Sequence, residues 1–247
     1  MRHSDTVAAS LTTSLLSSAS KAEPASKTEL RRHFRRLRKT LGTKASKQHA
    51  LELQRNVLRT SILFRYQRFA LYSAVDGEID TAALAAKLWE LSKQIALPVL
   101  KRDFKAPANT QNKFKMHFAP YYAHSRLVRG PYNLLEPAST TANSTAQIPL
   151  ALPIDILFMP LVAYDTQGSR LGMGGGFYDR YAAGKSSSAP LRVGLAHSIQ
   201  KASQNLPLDP WDIPLDAVIT EREVTPFNRR AATLLQVIPS TISGPNF

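Results

Sequence analysis

Residues 168–180 read Gly-Ser-Arg-Leu-Gly-Met-Gly-Gly-Gly-Phe-Tyr-Asp-Arg and contain five of the eleven glycines in the chain. An apolar run at residues 154–163 comes before this glycine loop, and a segment that favours a helix begins at Phe177. Glycine adopts positive φ and lets backbone N–H groups approach a ligand closely, while a helix N-terminus adds unsatisfied donors. A strand, a glycine loop and a helix in this order predict a nucleotide or phosphate site.

Charged side chains within the glycine loop support the same prediction. Arg170 and Arg180 could hold phosphate oxygens in bidentate contacts, and the Asp179 carboxylate could hold a divalent cation. The alternative is a flexible surface linker, but linkers pair glycine with small polar residues, whereas Leu171, Met173 and other large apolar residues are interleaved here. The loop fits the dinucleotide fingerprint poorly and lacks the Gly-Lys-Ser/Thr ending of a P-loop, so the class of anion stays open.

The composition bounds the kinds of protein that this chain can be. With 247 residues, of which 43% are apolar, it can form one large or two small domains. It has no cysteine, which excludes disulfides and cysteine-ligated metals, and no apolar run as long as a membrane span. The net charge of +14 points to nucleic acid or an anionic ligand, but thirteen Lys or Arg and only two acids lie within residues 27–68. One helical region therefore carries most of the excess charge, and such runs are most often solvated faces.

Periodicity and turn signals predict an α/β fold, a three-layer sandwich with a mixed, mostly parallel central sheet flanked by helices. Ser26 and Glu29 form a capping box, which predicts that a helix begins there. Further helices are predicted at residues 46–60 and 79–91. Strands are predicted at residues 68–75, 94–100, 114–118, 154–163, 192–197 and 217–220.

The first predicted helix carries a row of basic residues one turn apart, namely Lys27, Arg31, Arg35 and Arg38. Such a row could lie across a polyphosphate, although a plain solvent-exposed face is equally consistent with the sequence alone. Before this helix, residues 1–25 are rich in Ser, Thr and Ala, and we expect a disordered extension rather than a targeting peptide. Residues 26–224 are expected to form a single domain, and residues 225–247, which show no clear element, a loose tail.

The motifs together resemble the 5-formyltetrahydrofolate cyclo-ligase family, also called methenyltetrahydrofolate synthetases. The family pattern Gly-x-Arg-Leu-Gly-x-Gly-x-Gly-x-Tyr-Asp matches Gly168 through Asp179. Ordered matches elsewhere include Lys27-x-x-Leu-Arg31, Gly-Glu-Ile-Asp-Thr at residues 77–81, Glu136-Pro and Trp-Asp-x-Pro-Leu-Asp at residues 211–216. The departures within the loop are mild: Met173 and Phe177 stand where other types are frequent, and Gly175 stands where some relatives carry Lys.

The resemblance implies an enzyme that uses ATP and Mg²⁺ to cyclise 5-formyltetrahydrofolate to 5,10-methenyltetrahydrofolate, with release of ADP and phosphate. It implies that Asp179 and Asp212 hold the metal and that Tyr178 and Asp179 act in catalysis. We add Arg170 as a third catalytic residue, and Arg170 and Arg180 as phosphate contacts. With these two arginines included, the expected ATP-binding residues are Lys27, Arg31, Arg170, Gly172, Met173, Gly174, Gly175, Gly176, Phe177, Tyr178, Asp179 and Arg180. The implied folate-binding residues are Tyr72, Glu78, Glu136, Gly174, Gly176 and Tyr178.

Two other functions remain as alternatives at this point. A nucleic-acid-binding protein would use the basic helices, but it leaves the glycine loop unexplained. Another phosphoryl-transfer enzyme could use the same scaffold, because a fold does not fix a function. The partners expected under the family reading are MgATP and a folate with or without a polyglutamate tail, with no membrane and no nucleic acid. We expect a cytoplasmic monomer or weak homodimer.

Overall fold

The computed structural model describes residues 25–104, 113–138, 153–183 and 189–237. The predicted N-terminal extension therefore lies outside the described residues, apart from its last position. The helices are α1 (Lys27–Lys39), α2 (Gly42–Leu58), α3 (Ile62–Arg65), α4 (Ala82–Glu90), α5 (Phe177–Ala182) and α6 (Arg229–Leu234). The strands are β1 (Arg68–Ala70), β2 (Gln94–Arg102), β3 (Phe114–Pro120), β4 (Leu127–Arg129), β5 (Leu135–Pro137), β6 (Ile156–Met159), β7 (Ala163–Tyr164), β8 (Arg170–Leu171), β9 (Leu191–Leu195), β10 (Ala217–Ile219) and β11 (Val224–Pro226).

Seven of these strands form the central sheet, in the order β11-β10-β9-β6-β1-β2-β3. The five inner strands run parallel, and the two edge strands, β3 and β11, are antiparallel to their neighbours. The predicted α/β fold with a mixed, mostly parallel sheet is confirmed. No helix in the described part of the chain is both long and apolar enough to cross a membrane.

Alternation along the inner strands builds a core on each face of the sheet. On β6, Ile156 and Phe158 enter the larger core, formed with α2, α3, α4 and α6, while Leu157 and Met159 enter the core on the other face. Strands buried on both faces are continuous apolar runs, which is why this segment shows no polar alternation in the sequence. The predicted strand at residues 154–163 is divided into β6 and β7 at Pro160, which lacks a backbone donor for the ladder.

Helix α1 begins at the predicted capping box. The Ser26 hydroxyl accepts from the Glu29 N–H, and the Glu29 side chain accepts from the Ser26 N–H, so two of the orphan donors are satisfied. The basic row along α1 is not a plain solvent face. Arg38 is 2% exposed and donates to the Leu161 carbonyl, while Arg35 pairs with Asp76. The row therefore attaches α1 to the loops that follow β1 and β6.

The prediction of a loose tail from Thr225 onward is wrong for residues 225–237. Strand β11 pairs with β10, and α6 follows it with the Asn228 side chain accepting from the Ala231 N–H. Ala231 and Leu235 are 0% and 3% exposed within the larger core. The element was missed because it is only six residues long, although an N-cap Asn before an Ala- and Leu-rich segment is a helix signal. Residues 238–247 lie outside the described part.

The topology brings the predicted site together at one edge of the sheet. Parallel strands place their carboxyl ends at the same edge, and ligand clefts of open α/β sheets form there. Residues 71–81 follow β1 and the glycine loop follows β6 through the small β7–β8 hairpin. In the turn of that hairpin the buried Asp165 carboxylate accepts from the N–H groups of Gln167 and Ser169, which fixes the start of the glycine loop.

Candidate active site

A cleft of about 640 Å³ opens at this edge, with the glycine loop along one side. Its walls come from α1, the loop after β1, strands β2 and β3, the glycine loop, and residues 209–212. The cleft brings together these predicted site residues: Lys27, Arg31, Tyr72, Glu78, Arg170, Gly172, Met173, Gly174, Gly175, Gly176, Phe177, Tyr178, Asp179 and Asp212. A second hollow, of about 700 Å³, lies beside α1 and α2, and none of the described residues around it belongs to the predicted site.

The glycine loop turns through three positive-φ glycines, Gly168 at φ 82°, Gly174 at φ 99° and Gly176 at φ 60°. Gly176 is the N-cap of α5, so the open backbone N–H groups of that helix start lie beside the cleft. Arg31 of α1 donates to the Gly172 carbonyl over 2.9 Å, and a Cβ on Gly174 would lie 3.6 Å from its guanidinium carbon. The loop therefore presents backbone with little side-chain cover and is held against the basic helix.

Each of the two predicted metal carboxylates is paired with a cation. Arg170 donates to Asp179 over 2.7 Å, and Lys27 donates to Asp212 and, over 2.7 Å, to Asp209. The Ile213 N–H lies 3.3 Å from the Asp179 carboxylate, so the two aspartates belong to adjacent segments. Carboxylate oxygens are ligands that Mg²⁺ prefers, so this donor set fits the metal.

The electrostatics of this pairing favour the ionised forms. Burial opposes ionisation of Asp212, but the Asp209 N–H and the Lys27 ammonium outweigh it, and the pKa of Asp212 is lowered. Burial likewise opposes the charge on Lys27, yet its bonds to Asp209 and Asp212 raise its pKa. The Arg170 Nε is buried and has no hydrogen-bond partner among the described residues. The sequence analysis did not predict that Asp209 belongs to this site.

Glu78 lies in the loop after β1 and is 7% exposed. Its carboxylate accepts from the Val75 N–H over 3.1 Å, but burial dominates and raises its pKa to about 7. Burial, together with the Glu78 charge, also raises the pKa of Tyr178, so its hydroxyl is a neutral donor. The Tyr72 hydroxyl donates to the Ile79 carbonyl over 3.0 Å, so this side chain contributes its ring to the cleft and supports the Glu78 loop.

The cleft also has an apolar surface, most of which was not predicted. Its residues on β2, β3 and the segments around them are Pro98, Leu100, Met116, Tyr132, Leu134 and Trp211. Trp211 is 68% exposed, which is unusual for a large aromatic ring. Exposed aromatic surface beside a polar pocket suits a planar organic ligand. The sequence signals were the predicted strands at residues 94–100 and 114–118 and the motif that contains Trp211, and none of them gave the direction of the side chains.

Two predicted site residues lie outside this lining. Arg180 is exposed, donates to the Gly175 carbonyl over 2.9 Å and sits 5.2 Å from the Phe177 ring centroid. Glu136 on β5 accepts from the Leu100 N–H over 2.9 Å, so its carboxylate fixes a wall strand from behind. The structure does not bring either side chain into the cleft, and both fit supporting roles better than ligand contact.

The fold and the cleft define an α/β protein in which a glycine loop, cation-paired carboxylates and an apolar surface line one cleft. The model of the 5-formyltetrahydrofolate cyclo-ligase family matches residues 23–221. The chain is 34% identical over 187 residues to the 5-formyltetrahydrofolate cyclo-ligase of Haemophilus influenzae, covering 76% of this chain and 93% of that one. It is 39% identical over 155 residues to the Escherichia coli K12 enzyme of the same name, covering 63% and 78% of the two chains.

A solved structure agrees with these relatives. The NMR structure of Aquifex aeolicus 5,10-methenyltetrahydrofolate synthetase superposes with a TM-score of 0.64 at 26% identity, covering 82% of this chain and 93% of that chain. The chain therefore belongs to the 5-formyltetrahydrofolate cyclo-ligase family, a family of ligases in folate metabolism. The resemblance inferred from the glycine loop and its ordered partners is confirmed.

Proposed function

We propose that this protein converts 5-formyltetrahydrofolate to 5,10-methenyltetrahydrofolate with consumption of MgATP and release of ADP and phosphate. The observation that carries the proposal is the two-sided cleft. One side offers Lys27, Arg31 and the glycine backbone to a polyphosphate. The other offers an apolar surface with the buried Glu78 to a planar ring system.

The reaction needs a leaving group that the substrate lacks. The oxygen of an N-formyl group is a poor leaving group, so transfer of the ATP γ-phosphoryl to it creates a phosphorylated intermediate and ADP. The N10 nitrogen then attacks the formyl carbon, the carbon–oxygen bond breaks, and phosphate leaves with the proton that N10 loses. Phosphoryl transfer depends on positioning and on neutralising charge rather than on a protein nucleophile.

Different residues of the cleft would position the two substrates and neutralise the charge of the phosphates. Lys27, Arg31 and Arg170, all of which line the cleft, would hold phosphate oxygens. Asp179 and Asp212 would hold Mg²⁺, which supplies further charge neutralisation when bound. Glu78, whose pKa of about 7 keeps part of the population protonated at neutral pH, can donate to or accept from polar edges of a pterin ring. Tyr178 lies between the two sides as a neutral donor.

A direct assay tests the proposal. Purified protein is mixed with 5-formyltetrahydrofolate and MgATP, and the methenyl chromophore and ADP are followed together. We expect equal amounts of the two products and none when ATP is left out. Asp179→Asn should lose most of this activity, whereas Glu90→Gln, on the exposed side of α4, should keep it. Absence of both products at high enzyme concentration would refute the cyclo-ligase assignment, and salt-sensitive nucleic-acid binding without ATP turnover would favour the alternative.

A further inference from the structure

A second cluster of ligand-type side chains lies at the same edge of the sheet but outside the cleft lining. His49 projects from α2, His197 follows β9, and Glu221 follows β10. One donor atom from each of the three lies within 4.8 Å of the others. The two Nδ1 atoms are 3.0 Å apart, and the His49 Nδ1 is 3.9 Å from a Glu221 carboxylate oxygen.

The surroundings hold these groups in place. His197 is fully buried, and its Nε2 lies 3.2 Å from the Gly77 carbonyl, an acceptor that fixes the proton on Nε2 and leaves the Nδ1 lone pair facing His49. The Glu221 carboxylate accepts from the Ser198 N–H over 2.9 Å and from the Ser198 hydroxyl. A backbone acceptor behind an imidazole and hydrogen bonds behind a carboxylate are the outer partners that orient metal ligands in proteins.

The spacing of the two imidazole nitrogens is that of a hydrogen bond in the metal-free protein, and it is also close to the spacing of two zinc ligands. In tetrahedral zinc sites the metal–nitrogen distance is about 2.0–2.1 Å, which places two ligating nitrogens about 3.3 Å apart. The separation of 3.0 Å between the imidazole nitrogens differs from this by a few tenths of an ångström.

We propose that His49, His197 and Glu221 form a binding site for a divalent transition-metal ion of the zinc class. Two imidazoles and one carboxylate are a donor set that zinc takes with a fourth position left to water. Magnesium prefers oxygen ligands, so the site is chemically distinct from the carboxylates of the cleft. The His49 side chain is 19% exposed, which gives the ion a route from solvent.

Occupancy of this site would act on the cleft through one hydrogen bond. His197 contacts the carbonyl of Gly77, the residue directly before Glu78. An ion on Nδ1 makes the Nε2–H a stronger donor, which holds the Gly77 carbonyl and with it the loop that carries Glu78. This consequence rests on the proposed function, but binding of the ion does not.

The test is a titration of the metal-free full chain with Co²⁺ and Zn²⁺ in excess Mg²⁺. We expect one saturable site, the strong visible absorption of tetrahedral Co²⁺, and a rise in Tm with zinc. Loss of a residue that only supports a metal ligand weakens metal affinity roughly 10- to 100-fold. His49→Ala removes a ligand itself, so it should weaken the affinity for Zn²⁺ by at least this factor. His124→Ala, at an exposed position, is the matched control and should bind as the unaltered chain does.

Glu221→Gln provides a second variant, because it keeps the size of the side chain and removes the ligand charge. Each variant is first checked for a cooperative thermal transition, so that loss of fold is separated from loss of the site. Equal affinity in His49→Ala and the unaltered chain, or no saturable binding at all, would overturn the proposal. Binding that gives only the weak absorption of octahedral Co²⁺ would place the ion on carboxylates and would overturn it as well. None of these outcomes depends on cyclo-ligase activity.

Discussion

Glu78→Gln should make the protein more stable at alkaline pH. Relative to the unaltered protein, its gain in free energy of unfolding should grow from acid to alkaline pH. The carboxyl is 7% exposed, and burial raises its pKa from 4.5 to about 7. The folded state therefore holds a proton that the unfolded chain has already released, so stability falls as pH rises from about 4.5 to about 7. A difference of about 2.5 units at about 1.36 kcal/mol per unit gives a penalty of about 3 kcal/mol above pH 7.

Glutamine removes this penalty and keeps the acceptor, because its Oε1 can still accept from the Val75 N–H. The measurement is urea unfolding of both proteins at a series of pH values. We expect similar free energies of unfolding near pH 4 and a gain of about 3 kcal/mol for the variant near pH 8. Glu90→Gln is the control, since that side chain is 62% exposed and should change little. A difference between Glu78→Gln and the unaltered protein that does not vary with pH would refute the reasoning.

Three further predictions concern the loop, the cation pair and the C-terminal helix. Gly174→Ala places a Cβ at φ 99°, a strained conformation that costs about 1–3 kcal/mol, and should raise the KM for ATP about tenfold in steady-state assays. Lys27→Met removes the partner of Asp209 and Asp212 and should weaken ATP binding by roughly tenfold or more, measured by calorimetry, because a charged hydrogen bond contributes about 1.5–3 kcal/mol. Leu235→Ala, at a position 3% exposed, should cost about 2–5 kcal/mol in urea unfolding, whereas Val237→Ala, 54% exposed, should cost far less; equal effects would mean that α6 does not stabilise the core.

The sequence predicted those parts of the structure that depend on local patterns. The capping box at Ser26 requires only two residues three apart, and the glycine loop combines its cues within thirteen positions. The buried strands were recognised from apolar runs, and their parallel order followed from the alternation with helices. The family motif then supplied most of the residues that line the cleft.

The features that the sequence did not predict depend on contacts between residues that are far apart along the chain, which local sequence patterns do not reveal. Lys27 and Asp209 are separated by 182 positions, so their ion pair follows from the fold as a whole. The motif placed Glu136 in the substrate site, but the direction of its side chain on β5 turns it toward the Leu100 N–H. The raised pKa of Glu78 comes from burial beneath several segments, and the contact between His49 and His197 joins positions 148 apart.

The lysine at the start of α1 has one more consequence. Two aspartates three positions apart, Asp209 and Asp212, would repel each other, and their segment would spread without a cation between them. Lys27 supplies that cation from the same helix that fixes the glycine loop through Arg31. Folding itself therefore assembles the charges of the site, and a ligand that arrives needs to exchange partners rather than organise them. The geometry of the proposed ATP site and the attachment of α1 to the rest of the fold therefore depend on the same four side chains, Lys27, Arg31, Asp209 and Asp212.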